Sequence, residues 1–263
     1  MKSKIVSALA VAVLATLPAL ASAGPVLIVN NALATSEPGT TSAVTNNLTA
    51  LHVAAGNTVT VVSDLPASLA GYSQVWDVSF SNNAALTAAD RSVYASYLAG
   101  GGGVFLMGEN GSFASRNTSI LTLIAELGGG SIGFNSCFDG VQTVRAPFNN
   151  PNPVSQVNFA ASGCFDSTGT GEWITSRTDN SLGSGIAFGV GDLTAAPTGA
   201  LTTILDVNFM MATFDQPDSQ NLTRNLIRFV GDQVNPPRVP EPGMLALVGL
   251  ALVGAAAGRR RKG

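Results

Sequence analysis

The spacing of apolar and polar residues changes period along this chain, and the changes mark its elements. Val26-Leu27-Ile28-Val29 is a continuous apolar run ending at Asn30-Asn31, the pattern of a strand covered on both faces. Thr41 is placed to cap a helix in which Val44, Leu48, Leu51 and Ala55 recur on one side. His52 borders that stripe and is expected as a satisfied or partly exposed helix residue. Gly56-Asn57 turns into a β-branched strand from Thr58 to Val62, and Gln74 to Phe80 supplies a third strand. Thr87-Ala88-Ala89-Asp90 has capping-box spacing, with Asp where Glu or Gln is usual, ahead of a helix carrying Val93, Tyr94, Tyr97 and Leu98. A glycine run then leads into Val104-Phe105-Leu106-Met107, a fourth buried strand, followed by the turn Gly108-Glu109-Asn110-Gly111. Ile120, Leu123, Ile124 and Leu127 mark another amphipathic helix that stops at Gly128-Gly129-Gly130. Strand, helix, strand, strand, helix, strand, helix predicts a three-layer α/β sandwich with a mostly parallel sheet.

From Ser131 to Gly199 the periodicity weakens, and short apolar pieces lie among Gly, Asn and Pro. This segment is expected to be an irregular, β-rich insertion. Leu201 to Phe209 returns the chain to the sheet, and Asp218 is placed to cap a last helix. In that helix Leu222, Leu226 and Phe229 face inward, while Arg224 and Arg228 stack four apart outside. Cys137 and Cys164 are the two cysteines, each followed by Phe-Asp. In an oxidising compartment they are expected to form a disulfide that ties the insertion. Two thiols and a distant His52 do not make a metal site, and no cofactor is expected.

The two ends point to export. Lys2 and Lys4 precede an apolar segment from Ile5 to Leu20, then Ala21-Ser22-Ala23 before Gly24. That is the order of a signal peptide cut ahead of Gly24. At the other end Val239-Pro240-Glu241-Pro242 opens an apolar run closed by Arg259-Arg260-Arg261-Lys262. As a helix the run from Gly243 to Gly258 spans roughly 24 Å, short of the about 30 Å of a hydrocarbon core. Flanking arginines extend toward the headgroups to make up part of the difference. This tail resembles the PEP-CTERM sorting signal of Gram-negative bacteria. The resemblance implies signal peptidase and a membrane-embedded exosortase as processing partners, transient anchorage in the inner membrane, and a destination at the cell surface or beyond. The expected division is therefore 1–23 signal peptide, 24–232 α/β domain, 233–238 linker and 239–263 sorting signal with a transmembrane helix.

Charge narrows the partners. Between the two signals stand seven arginines and no lysine against fifteen acidic residues, a formal charge of about −8. Such a surface repels nucleic acid and anionic membranes.

Candidate chemistry gathers where strands end. Asp64 and Asp77 fall near strand ends, where a parallel sheet places its ligand crevice, although a capping or loop-solvating role fits them equally. The glycine-rich strand entrance, the turn after Met107, Leu205-Asp206-Val207-Asn208-Phe209 and the run Asn221 to Ile227 together resemble the class I glutamine amidotransferase-like fold, a flavodoxin-like architecture. The nearer likeness is to its non-amidotransferase branches, including trehalose-utilisation-like proteins. In amidotransferases the turn after the central strand carries a nucleophilic cysteine, with a histidine and an acid later. Here that turn holds Gly108, Glu109, Asn110 and Gly111, and no later histidine exists, which removes the thiol mechanism. What remains is a polar set expected at the carboxyl edge of the sheet: Glu109, Asn110, Ser112, Asp206 and Asn208. Glu109 and Asp206 are the candidate catalytic carboxylates of a glycan or glycan-ester hydrolase. Glu109, Asn110, Ser112 and Asn208 are candidate ligand-binding residues for exopolysaccharide, and a purely structural coat component is the third reading. The missing nucleophile–histidine pair leads to the expectation of an exported, non-catalytic, matrix-associated protein.

Overall fold

The computed structural model describes residues 24–31, 38–138 and 140–234. The expected signal peptide, linker and transmembrane tail lie outside the described residues. Strand β1 (Pro25–Val29) is followed by helix α1 (Pro38–Ala54), which begins before Thr41, and by β2 (Thr58–Val62). Next come β3 (Gln74–Asp77), α2 (Ala88–Ala99), β4 (Gly103–Gly108) and α3 (Ala114–Glu126). The predicted capping box is formed at α2: Thr87 accepts from the Asp90 amide, and Asp90 accepts from the Thr87 amide. The third strand stops at Asp77 rather than Phe80 because the Asp77 side chain takes the Ser79 amide and turns the chain.

Six short strands follow: β5 (Phe134–Ser136), β6 (Val141–Val144), β7 (Gln156–Asn158), β8 (Gly163–Phe165), β9 (Glu172–Ser176) and β10 (Gly185–Phe188). Strand β11 (Ala200–Leu205) and α4 (Asp218–Val234) complete the domain. Nine strands form one sheet in the order β2-β1-β3-β4-β11-β10-β9-β6-β7. The first five are mutually parallel, whereas every neighbour from β11 onward pairs antiparallel. This corrects the expectation of a mostly parallel sheet with a separate insertion. Four strands of the 131–199 segment widen the main sheet as an antiparallel wing, and only β5 and β8 stand apart as a two-stranded antiparallel ribbon. The Cys137–Cys164 disulfide closes that ribbon, with Cα atoms 5.6 Å apart.

The alternation of strand side chains sorts the core to two faces of the sheet. Val26, Ile28, Trp76, Phe105 and Met107 pack with α1 and α4 residues such as Leu48 and Leu226. Leu27, Val75, Val104 and Leu106 pack instead with Tyr94 and Leu98 of α2 and with Ile120 and Leu123 of α3. The first face centres on Trp76, stacked on Phe105 at 4.7 Å, with its indole N–H donated to Gln74.

His52 is fully buried, deeper than its sequence position implied, edge-on to Trp76 at 5.0 Å. Its Nδ1 accepts from the Asn57 amide, whose oxygen in turn holds the Gly24 N–H. Burial pushes the imidazole down to about 3 from the ordinary 6.5. Below about pH 6.5 the unfolded chain takes up a proton that the folded chain refuses. Stability therefore falls as pH drops from 6.5 toward 3, by at most about 1.4 kcal/mol per pH unit from this group. His52→Leu should flatten the slope of urea-unfolding stability between pH 6.5 and 4.5; identical slopes in variant and parent would contradict this assignment. Reduction of the disulfide, whose cysteines lie 27 apart in sequence, should cost about 3–4 kcal/mol in the same measurement, and an unchanged midpoint would contradict a stabilising role.

Candidate functional site

Leu205 and Gly108 are register partners at the ends of β11 and β4, so the next residues, Asp206 and Glu109, leave the sheet side by side. The two carboxylates thus start from adjacent strand ends. Their surroundings decide what they can do. Asp206 has no exposed surface. Its Oδ2 accepts from the amides of Ala160 (2.8 Å) and Ala161 (3.2 Å), and its Oδ1 from those of Asn208 (2.7 Å) and Phe209 (3.2 Å). Burial raises its pKa, and those four N–H groups pull it back. Glu109 is 4% exposed. Its Oε1 accepts from the Asn110 amide at 2.8 Å and its Oε2 from the Val207 amide at 2.9 Å.

The turn around Glu109 is held from α3. The Asn117 side chain accepts from the Glu109 amide at 3.0 Å and donates to the Glu109 carbonyl at 2.6 Å, acting as a substitute strand partner. Asn110 accepts from the Ser112 amide in an Asx turn, and the Gly111 amide donates to Ser136 of β5. Ser112 is exposed, while Asn110 and Asn208 are half-buried. From the other side β8 closes over the pair: a Cβ on Gly163 would lie 2.8 Å from the Glu109 carbonyl and 3.0 Å from the Leu205 side chain. The five sequence-predicted residues thus belong to one neighbourhood, with the carboxylates at its packed centre and Ser112 at its rim.

A second polar centre lies at the end of the neighbouring strand β3. Asp77 at the end of β3 takes the Tyr94 hydroxyl at 2.9 Å on Oδ2, and Arg116 Nη2 lies 3.1 Å from the same oxygen. Arg116 is fully buried; its Nε donates to the Met107 carbonyl and its Nη1 to the Ala84 carbonyl. The Nη2 contact is an ion pair without an aligned hydrogen bond, since no acceptor meets hydrogen-bond geometry there. Burial, then the Asp77 charge, raises the Tyr94 pKa, so the phenol stays protonated and donates. Sequence reading flagged Asp77 but missed Arg116. The available signal was its spacing: Arg116 stands four before Ile120 and seven before Leu123, on the apolar stripe of α3.

Asp77 and Arg116 face a crevice of about 280 Å³ between the carboxyl ends of β2, β1 and β3. Strand order reverses here, because β1 leads to β2 on one side while β3 and β4 lie on the other. A larger hollow of about 640 Å³ lies at the opposite edge, beneath Tyr97 and Gly100–Gly102, and its lining has no carboxylate, imidazole or cationic side chain. Among the described residues no three His, Cys, Asp or Glu side chains group as a metal site.

Residues 238–262 match the PEP-CTERM protein-sorting motif. The chain therefore carries a signal for PEP-CTERM-dependent export and exosortase processing. No curated protein matches the chain. Among solved structures, the mmIFT52 N-terminal domain is similar with a TM-score of 0.58 at 12% identity, over 78% of this chain and 96% of that one. A ThuA-like protein from Bacteroides uniformis has a TM-score of 0.51 at 17% identity, over 82% and 95%. The exo-β-1,4-mannosidase Op5Man5 from an Opitutaceae bacterium has a TM-score of 0.50 at 13% identity, over 78% of this chain but 35% of the enzyme. At such identities the likeness is one of fold alone.

If Glu109 and Asp206 serve the backbone, their removal is a folding defect. Glu109→Gln turns one of two acceptors into a donor facing an N–H and should cost about 1–3 kcal/mol. Asp206→Ala strands four amides and should cost more, about 3 kcal/mol or above. Urea midpoints check both, and an unchanged or raised stability in either variant would point to a carboxylate held in strain for chemistry.

Proposed function

We propose that this is an exported, cell-surface or matrix-associated protein whose α/β domain is non-catalytic and binds exopolysaccharide. The observation that carries the non-catalytic reading is the engagement of both candidate carboxylates. Each oxygen of Glu109 and Asp206 already accepts at least one backbone N–H. A general acid must offer a proton, and a nucleophile or base a lone pair, toward an open site. Neither carboxylate lines the crevice at the ends of β1 and β3 or the hollow beneath Tyr97.

The domain reading is of the amidotransferase-like, trehalose-utilisation-like type. Supporting it are the parallel strand order β2-β1-β3-β4-β11, the Glu109 turn at the place of the amidotransferase nucleophile, and the likeness to the ThuA-like protein over nearly its whole length. Residues 24–232, continued by α4 to Val234, form this domain. The stretch to 238 links it to a tail whose apolar run crosses the inner membrane until exosortase acts. The acidic, lysine-free surface suits an uncharged or cationic glycan better than a polyanion.

Co-sedimentation of the purified full-length protein with the producer's own exopolysaccharide tests this. Retention at low and moderate ionic strength, with no new reducing ends, is expected. Absence of retention in both conditions would remove the polysaccharide reading. Release of oligosaccharide that disappears in a folded Glu109→Gln variant would replace it with a hydrolase.

A further inference from the structure

We infer that the crevice at the carboxyl ends of β1 and β3 is a saccharide subsite, sized for one non-anionic hexose unit, and that Asp64, Ser79 and Asp90 carry the recognition, while Asp77 and Arg116 form its floor. This rests on the polysaccharide reading above and relocates it, away from the Glu109–Asp206 neighbourhood. Three independent features converge. Topology comes first: adjacent strand connections leave here for opposite faces of the sheet, α1 to one and α2 to the other, so among the described residues no helix covers the gap. Size comes second: about 280 Å³ falls just below the roughly 300–1,000 Å³ of drug-sized ligand sites, which suits a single ring. The third is chemistry.

Asp64, Asp77 and Asp90 line the crevice with one guanidinium, that of Arg116. Three carboxylates against one cation disfavour a phosphate, sulfate or uronate. The first turn of α2, which could otherwise attract an anion, is already capped by Thr87 and Asp90. A metal ion is disfavoured as well, because the carboxylates do not gather into a ligand set. Hydroxyl groups fit what remains. Asp64 Oδ2 accepts only from the neighbouring Ser63, and Ser79 Oγ accepts from the Asn31 amide and keeps its own proton to donate. Asp90 Oδ2 is occupied by Thr87, which leaves Oδ1 toward a guest. At the floor, Arg116 Nη2 is buried with an ion-pair neighbour and no aligned acceptor. Val29, Leu65, Ala85 and Leu86 complete the wall with apolar surface for the C–H face of a sugar ring. An amino sugar gains additionally from the carboxylates.

The test is amide-resolved NMR titration of the purified full-length protein with glucose, galactose, mannose, glucosamine and glucuronate. At least one neutral or amino hexose should shift the amides of Asn31, Ser63, Ser79 and Asp90, and bind at least ten-fold tighter than glucuronate. Asp64→Ala should weaken that binding at least ten-fold with an unchanged melting temperature, since Asp64 is exposed and holds only Ser63. Asp77 is unsuited to the purpose, because its loss would leave Arg116 buried without its counter-charge. Retention of the protein by exopolysaccharide with no hexose response at these amides would overturn this subsite and leave the polysaccharide reading standing. Neither retention nor response would remove both. Preference for glucuronate, or full-strength hexose binding by Asp64→Ala, would overturn the recognition chemistry assigned here.

Discussion

Where β4 and β11 end, the chain must leave a buried sheet without leaving its amides unsatisfied, and the rest of the structure depends on how that is done. A buried N–H without an acceptor costs as much as a lost hydrogen bond or more. Asp206 answers for four such groups and Glu109 for two. Two of the four amides, at Ala160 and Ala161, belong to the antiparallel wing, between β7 and β8. The Asp206 carboxylate is thus the joint between the parallel half of the sheet and its extension. A carboxylate this deep is expensive to ionise, and the N–H groups converging on it are what make its burial tolerable.

That joint divides the carboxyl edge into two regions. Over β4 and β11 the space is filled by Asn117 from α3, by the ribbon of β5 and β8, and by a glycine at 163 that admits β8 close to the Glu109 carbonyl. Over β1 and β3 the described residues leave a crevice, and Arg116 ties the loop carbonyl of Ala84, the strand end at Met107 and Asp77 into a fixed floor. The turn after β4 thereby serves the backbone, while Asp64, at the switch point of the sheet, is exposed.

Elements whose pattern is local were legible in the sequence. The run Val26 to Val29, the Thr87–Asp90 box and the stripe Ile120, Leu123, Ile124 each needed only their own neighbours, and each element formed as expected. The wing was not legible as part of the sheet. Its strands are three to five residues long, too short for a period to register, and β6 pairs with β9 across two intervening strands. Pairing of β10 with β11, or β6 with β9, is decided by tertiary packing rather than by residue type. That Glu109 and Asp206 each stand at a strand end was legible, because each follows an apolar run; their separation in space was not. Their saturation was not, because the amides that occupy Asp206 come in part from Ala160 and Ala161, whose side chains say nothing about it. Burial of His52 likewise followed from Trp76 and Asn57 meeting it across the α1 face.

Amide hydrogen exchange in the intact protein, read residue by residue, tests the central claim most directly. The account predicts that Ala160, Ala161, Val207, Asn208 and Phe209, although in irregular segments, exchange as slowly as the amides of β4 and β11. Exchange of these five at the rate of open loops would show the Glu109 and Asp206 carboxylates free of the backbone, and the account would fail.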